Sequence, residues 1–110
     1  MMDDAEFSIA AGHLFKRVVK AVDAADPDVL EADSTGDMVT VVATKTGEKV
    51  IINTQRAVRQ IWVAGKGAGL HFSFSVNNQW LDDKGKGVEL LAWVEECVEA
   101  ASGERLDLKD

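Results

Sequence analysis

Carboxylates supply most of the chemistry this sequence can do. Asp26, Asp28, Glu31, Asp33 and Asp37 follow one another without a single basic residue between Asp26 and Asp37. Asp23 precedes them at the end of a candidate helix, where the backbone dipole is already negative and each carboxylate is disfavoured by about 0.3–1 kcal/mol. Repulsion among them adds to that cost, although salt screens it beyond about 8 Å. Local rules broken in this way point to function, here a cation or a basic partner. Hard oxygen ligands suit ferric iron, calcium or manganese and do not suit structural zinc. Open surface carboxylates enforce no coordination number, so such a site binds weakly and selects poorly. The same run also reads as the solvated face of an acidic protein, and both readings stand on residue type alone.

Other candidates are sparser. In the stretch VIINTQRAVRQIWVA, Val50 to Ala64, two β-type runs flank a polar connector that Asn53 is expected to serve. If Ile61 and Val63 face a helical layer, the period of two turns Trp62 to the opposite face beside Asn53 and Gln60. There a large indole is a contact anchor; facing inward it would be ordinary core. His13 is expected on a helix surface beside Lys16, and His71 within a strand. Cys97 falls near the buried stripe of a second helix and reads as a packed, inert thiol. None of these forms a catalytic pair. The glycines from Gly65 to Gly69 separate two strands, whereas a phosphate loop needs a strand before it and a helix after it. Asp82, Asp83 and Glu89 miss the calcium-loop spacing.

Composition narrows the partners. With 19 acidic and 12 basic side chains among 110 residues, the formal net charge is -7 and the isoelectric point near 4.7. Nucleic acid is excluded as a natural partner, because phosphate neutralisation needs a basic face. Cations and basic protein surfaces are the counterparts such a field attracts. One cysteine allows no intrachain disulfide, which suits a reducing compartment. The acidic start, Met1 to Glu6, has no targeting pattern, and no apolar run is long enough for a membrane span. A cytoplasmic protein is the simplest expectation, and an organellar protein in mature form would look alike.

The elements that must position these groups can be read in order. Asp3 or Asp4 caps a first helix, with Glu6 completing a capping box. Phe7, Ala11, Leu14, Val18, Val22 and Ala25 make its apolar stripe, and Pro27 is expected to stop it. Val29 and Leu30 suggest a brief edge strand, and Ser34 to Asp37 a turn about Gly36. Met38 to Thr44 alternates with Val39, Val41 and Ala43 inward, and Thr46-Gly47 returns the chain into Lys49 to Thr54. Gly65 to Gly69 is expected as a loose connection into a strand from Leu70 to Val76. Asn77 and Asn78 turn into a short strand at Trp80, and Asp82 to Gly87 breaks the sheet. Val88, Leu91, Val94, Val98 and Ala101 mark a second helix with Glu89, Glu95, Glu96 and Glu99 outside and Gly103 at its end. Leu106 and Leu108 are placed to cover the helix pair. Helix, consecutive strands, helix is an α+β order: a two-layer sandwich, with an antiparallel sheet carrying both helices on one face and the other face open.

The ordered series Ile51-Ile52-Asn53-x-Gln55, Gln60-Ile61-Trp62, Gly69-Leu70-His71-Phe72 and Trp80 resembles the frataxin family, in its bacterial CyaY form. The likeness runs from about Ala5 to Leu108 and implies a single frataxin-like domain over 1–110. It also implies an acidic ridge that binds iron, on carboxylates matching Asp3 or Asp4, Asp23, Glu31 and Asp33, with Asp26 and Asp28 between. Where bacterial relatives carry further carboxylates on the first helix, this chain has Val19, Lys20 and Ala24, so the helical part of the ridge is thinned. The equivalent of Trp62 lies at the contact with the cysteine desulfurase. The resemblance therefore implies a non-catalytic, iron-binding regulator of iron–sulfur cluster assembly. It would dock Glu31, Asp33, Asn53, Gln60 and Trp62 on the desulfurase and scaffold, as a monomer that metal can drive to oligomerise. An iron donor or store using the same carboxylates is the alternative, and an enzyme oxidising ferrous iron would need a closed ligand set that the sequence does not show.

Overall fold

The computed structural model describes residues 2–75 and 77–108. Met1 and Val76, expected as the start of the acidic terminus and the end of a strand, lie outside the described residues. Helix α1 runs Asp4–Asp23. It starts at Asp3, whose side chain accepts from the Glu6 N–H at 2.8 Å while the Glu6 carboxylate accepts from the Asp3 N–H at 3.1 Å, closing the capping box. Its inner stripe is Phe7, Ala11, Leu14, Phe15, Val18 and Val22. The helix ends at Asp23 with Ala24 as cap, before Pro27 is reached, so the proline restricts the following turn and does not itself stop the helix.

Six strands follow: β1 Leu30–Ser34, β2 Met38–Ala43, β3 Lys49–Gln55, β4 Gln60–Gly65, β5 Ala68–Phe74 and β6 Trp80–Asp82. They pair antiparallel in chain order, a meander with β1 and β6 at the edges. The connection between β4 and β5 is tighter than the glycines suggest. Gly65 pairs with Ala68, leaving Lys66 and Gly67 as a two-residue turn with φ of 56° and 74°. Two left-handed residues are what a type I′ hairpin needs. Asp82 closes the last loop: its carboxylate accepts from Lys86 N–H at 3.1 Å and Val88 N–H at 2.8 Å. Removal from water pushes that carboxyl up, and donation from the loop N–H groups outweighs this and holds it below the usual range.

Helix α2 runs Leu90–Ser102 and its buried residues are Leu90, Val94, Cys97 and Val98. Val94 and Val98 are buried as expected, whereas in the first turn Leu90 is buried and Val88 and Leu91 pack at the edge of the core. Glu89 is the reason: it is the N-cap, accepting from the N–H groups of Leu91 at 2.8 Å and Ala92 at 3.2 Å, so Val88 falls outside the helix. Glu95 is likewise no free surface acid, since it accepts from the Leu108 N–H at 2.8 Å and ties down the tail. Leu106 and Leu108 are buried there. Gly103, at φ 77°, ends the helix.

Both helices lie on one face, α1 over β1 and β2, α2 over β2 to β4 and β6. The core between the layers takes alternate residues from each strand, Val39 and Val41, Val50 and Ile52, Ile61 and Val63, then Phe72 and Trp80. Phe7 meets Trp80 edge to face at 5.9 Å. Among the described residues no helix is long and apolar enough to cross a membrane.

Sheet and helix α2 approach closely at Gly65. A Cβ there would lie 2.8 Å from Cys97 Cβ and 2.9 Å from Cys97 Sγ. Gly65→Ala is expected to lower unfolding free energy by about 1–3 kcal/mol, as overpacking does; an unchanged urea midpoint would show that α2 can move aside.

Candidate functional site

The open face is built by the strand register. Residues facing away from the helices form rows across the sheet: Met38, Asn53, Trp62 and His71 in one, Asp33, Thr40, Ile51, Ala64 and Gly69 in the next, then Glu31, Val42 and Lys49. Trp62 is half-buried on this face, with Asn53 and His71 directly opposite it on the two neighbouring strands. A Cβ on Gly69 would lie 2.7 Å from Trp62 Nε1, so the indole lies flat across that glycine. Asn53 therefore belongs to the sheet face beside Trp62 and not to the connector. Gln60 faces the same way and donates from Nε2 to Ser73 Oγ at 3.1 Å.

Glu31 and Asp33 sit on the edge strand β1 and project from this same face, fully exposed. From β1 to β4 is three strand spacings, about 14 Å. Charges on an edge strand also repel a second strand from pairing there.

The other expected carboxylates are distributed differently. Asp3 and Asp4 stand at the opposite end of a 20-residue helix from Asp23, about 28 Å away along the axis. Both are engaged, Asp3 in the cap and Asp4 with Arg59, whose Nη2 lies 2.9 Å from its Oδ1. They do not share a site with the rest. Asp26 folds the turn after α1: its Oδ1 accepts from the Asp28 N–H at 2.9 Å, and its carbonyl from Val29 and Leu30. The Thr44 hydroxyl donates to the Asp28 carbonyl and fastens this turn to β2. Asp23, Asp28, Glu31 and Asp33 keep exposed side chains. Among the described residues, no three carboxylates, histidines or thiols converge closely enough to hold a metal ion. These donors are hard oxygens spread over the end of α1, the following turn and β1, not gathered into a cage.

Asp37 leaves the acidic run altogether. Its Oδ1 accepts from the Thr54 hydroxyl at 2.9 Å and from Arg56 Nε at 2.8 Å, and Arg56 Nη1 donates to Ser8 Oγ at 2.8 Å. This chain of bonds fastens the short 3₁₀ turn Arg56–Val58 to α1, just ahead of Gln60 and Trp62. Arg59, at φ 52°, completes the reversal. The sequence places Asp37 in the acidic run and at the end of a turn, gives no role to Arg56 or Ser8, and marks Met38 and Lys49 only as strand starts. The first pair had no local signal, being 48 residues apart; the second was available from the period of two once Trp62 was placed outward.

His13 is exposed on α1. Cys97 is fully buried, and burial first, with the Lys66 and Glu96 charges as smaller and opposing influences, pushes its thiol up to about 11. It is neither a nucleophile nor a metal ligand at neutral pH.

The fold is an α+β sandwich whose open sheet face carries a half-buried tryptophan and an acidic edge. Residues 1–104 match the family described as the frataxin-like domain. The iron–sulfur cluster assembly protein CyaY of Albidiferax ferrireducens is 35% identical over 105 residues, covering 93% of this chain and 94% of the relative. That of Paraburkholderia phymatum is 31% identical, covering 97% and 98%. A solved structure of frataxin from Psychromonas ingrahamii superposes with a TM-score of 0.87 at 27% identity, over 99% of this chain and all of that one. The trimeric frataxin of Saccharomyces cerevisiae shares the fold, with a TM-score of 0.65 at 21% identity, over 94% of this chain and 83% of that one. The chain belongs to the frataxin family, whose members are non-enzymatic proteins of iron–sulfur cluster assembly.

Donation from Thr54 and then Arg56 holds the Asp37 carboxyl below its ordinary value. Folded, the group binds fewer protons than in the unfolded chain, so its contribution is complete above the usual carboxylate range and drains as pH falls below about 4. Asp37→Asn should therefore flatten the dependence of the urea midpoint on pH below about pH 4.5; a slope equal to that of the parent chain there would show that the network does not hold the carboxylate.

Proposed function

We propose that this chain acts in iron–sulfur cluster assembly as a non-catalytic, iron-binding regulator that docks on the cysteine desulfurase and its scaffold protein. The observation that carries this reading is the shared face: Glu31 and Asp33 at the sheet edge and Trp62, Asn53 and Gln60 at its centre all project to one side. Charge steers the approach and the sheet face sets the pose. The exposed carboxylates Asp23, Asp28, Glu31 and Asp33, with the free oxygen of Asp26, form a strip on which weakly held iron can ride beside the docked surface. The whole chain, 1–110, serves as one domain, monomeric and cytoplasmic, and its effect is on the rate at which sulfur and iron meet on the scaffold.

The test is the rate of cluster formation on reconstituted desulfurase and scaffold, with and without this protein, at graded salt. Reversing Glu31 and Asp33 to lysine should weaken binding by about tenfold or more and abolish the salt-sensitive change in rate. The same reversal at Glu99 and Glu104, on the helical side, should cost little. Equal losses from both pairs would mean that net charge alone drives association. Stable multi-ion binding, with no effect on the rate at any salt, would instead support iron carriage or storage.

A further inference from the structure

The open face is not uniformly acidic. At the end of the sheet formed by the β2–β3 turn and the β4–β5 hairpin, a notch of about 560 Å³ runs from Trp62 on the open face round to Ala100 and Ala101 of α2. Its floor is made of Ile51, Ala64 and Gly69, so small side chains leave the edge of the indole uncovered. The edge over Gly69 is the one that carries Nε1. Among the described residues no oxygen accepts from that N–H. The rim carries Glu48, Lys49 and Lys66. Lys66 is turned toward α2, its Nζ 3.8 Å from Glu96 and 5.8 Å from the Trp93 ring centre. Lys49 is exposed and has no ion pair among the described residues, and it is the one lysine or arginine on the open face of the six strands.

An unused indole N–H and a free ammonium beside an apolar floor both call for an anionic acceptor with a short aliphatic stem. We propose that this notch receives an acidic side chain, Asp or Glu, of the protein that docks on the sheet face. The inference rests on the docking reading above and refines it. The partner surface is two-signed, basic where it meets Glu31 and Asp33 and acidic about 10 Å away, two strand spacings across, where it meets Lys49. Such a pattern fixes orientation, because a partner turned end for end would set like charges together.

Binding of the desulfurase–scaffold complex at low salt, measured by titration calorimetry, separates the possibilities. Lys49→Glu should weaken binding by about tenfold although it makes the chain more acidic, and Lys49→Met by a few-fold. Trp62→Phe, which keeps the ring and loses the N–H, should also weaken it several-fold. Lys84→Glu, an equal change of charge on an exposed loop away from the notch, should leave affinity unchanged or slightly raised. Unchanged thermal midpoints would show that the exposed Lys49 variants are folded. If Lys49→Glu binds as tightly as Lys84→Glu while reversal of Glu31 and Asp33 still weakens binding, the notch proposal is wrong and the docking reading stands. If neither change has an effect, both are wrong.

Discussion

The pairing of β3 with β4 is the constraint on which the rest depends. Asn53 stands opposite Trp62 and Thr54 opposite Ile61, and the sheet's two faces follow from that register. A slip of one residue would carry Trp62 inward and Ile61 out to water, exchanging the contact surface for the core. The strands do not hold this register alone. Asp37, Arg56 and Ser8 clamp the turn from one side, and Asp4 holds Arg59 from the other. Helix α1 therefore does more than cover the sheet: it sets the phase in which the two central strands meet.

That division explains what the sequence discloses. Apolar periodicity locates α1, the alternating strands and the inward set Val39, Val41, Ala43, Ile61 and Val63, because burial depends on local spacing. The two-layer architecture and the outward turn of Trp62 follow from the same periods. Val94, Val98 and the end of α2 at Gly103 follow from the sequence, but its first turn does not: Leu90 and Leu91 are equally apolar, and the Glu89 cap sets where the helix begins. The hairpin at Lys66-Gly67 reads as loose because a run of small residues carries no register of its own; pairing of Gly65 with Ala68 supplies it.

Acidic residues were the least legible group, since one side-chain type serves several ends. Asp3 and Glu89 cap helices, Asp26 and Asp82 shape turns, Asp37 organises a connector and Glu95 anchors the tail. Each of these accepts from particular donors, and none can be told by type from Glu31 or Asp33, which face solvent. The chemically open acids are those left over once backbone and arginine donors have been satisfied. Of those that remain, only Glu31 and Asp33 lie on the same sheet face as the tryptophan, with Lys49 two strands from Glu31.

The meander bears on how the chain reaches this state. Every strand pairs with its neighbour in sequence, so each hairpin closes a short loop at small entropic cost, and the sheet can zip from any turn. The helices differ: α1 and α2 come from opposite ends of the chain and meet the same side of the sheet. Desolvation of that side is thus completed only when both ends of the polypeptide have arrived, with Leu106 and Leu108 among the last apolar groups to be covered.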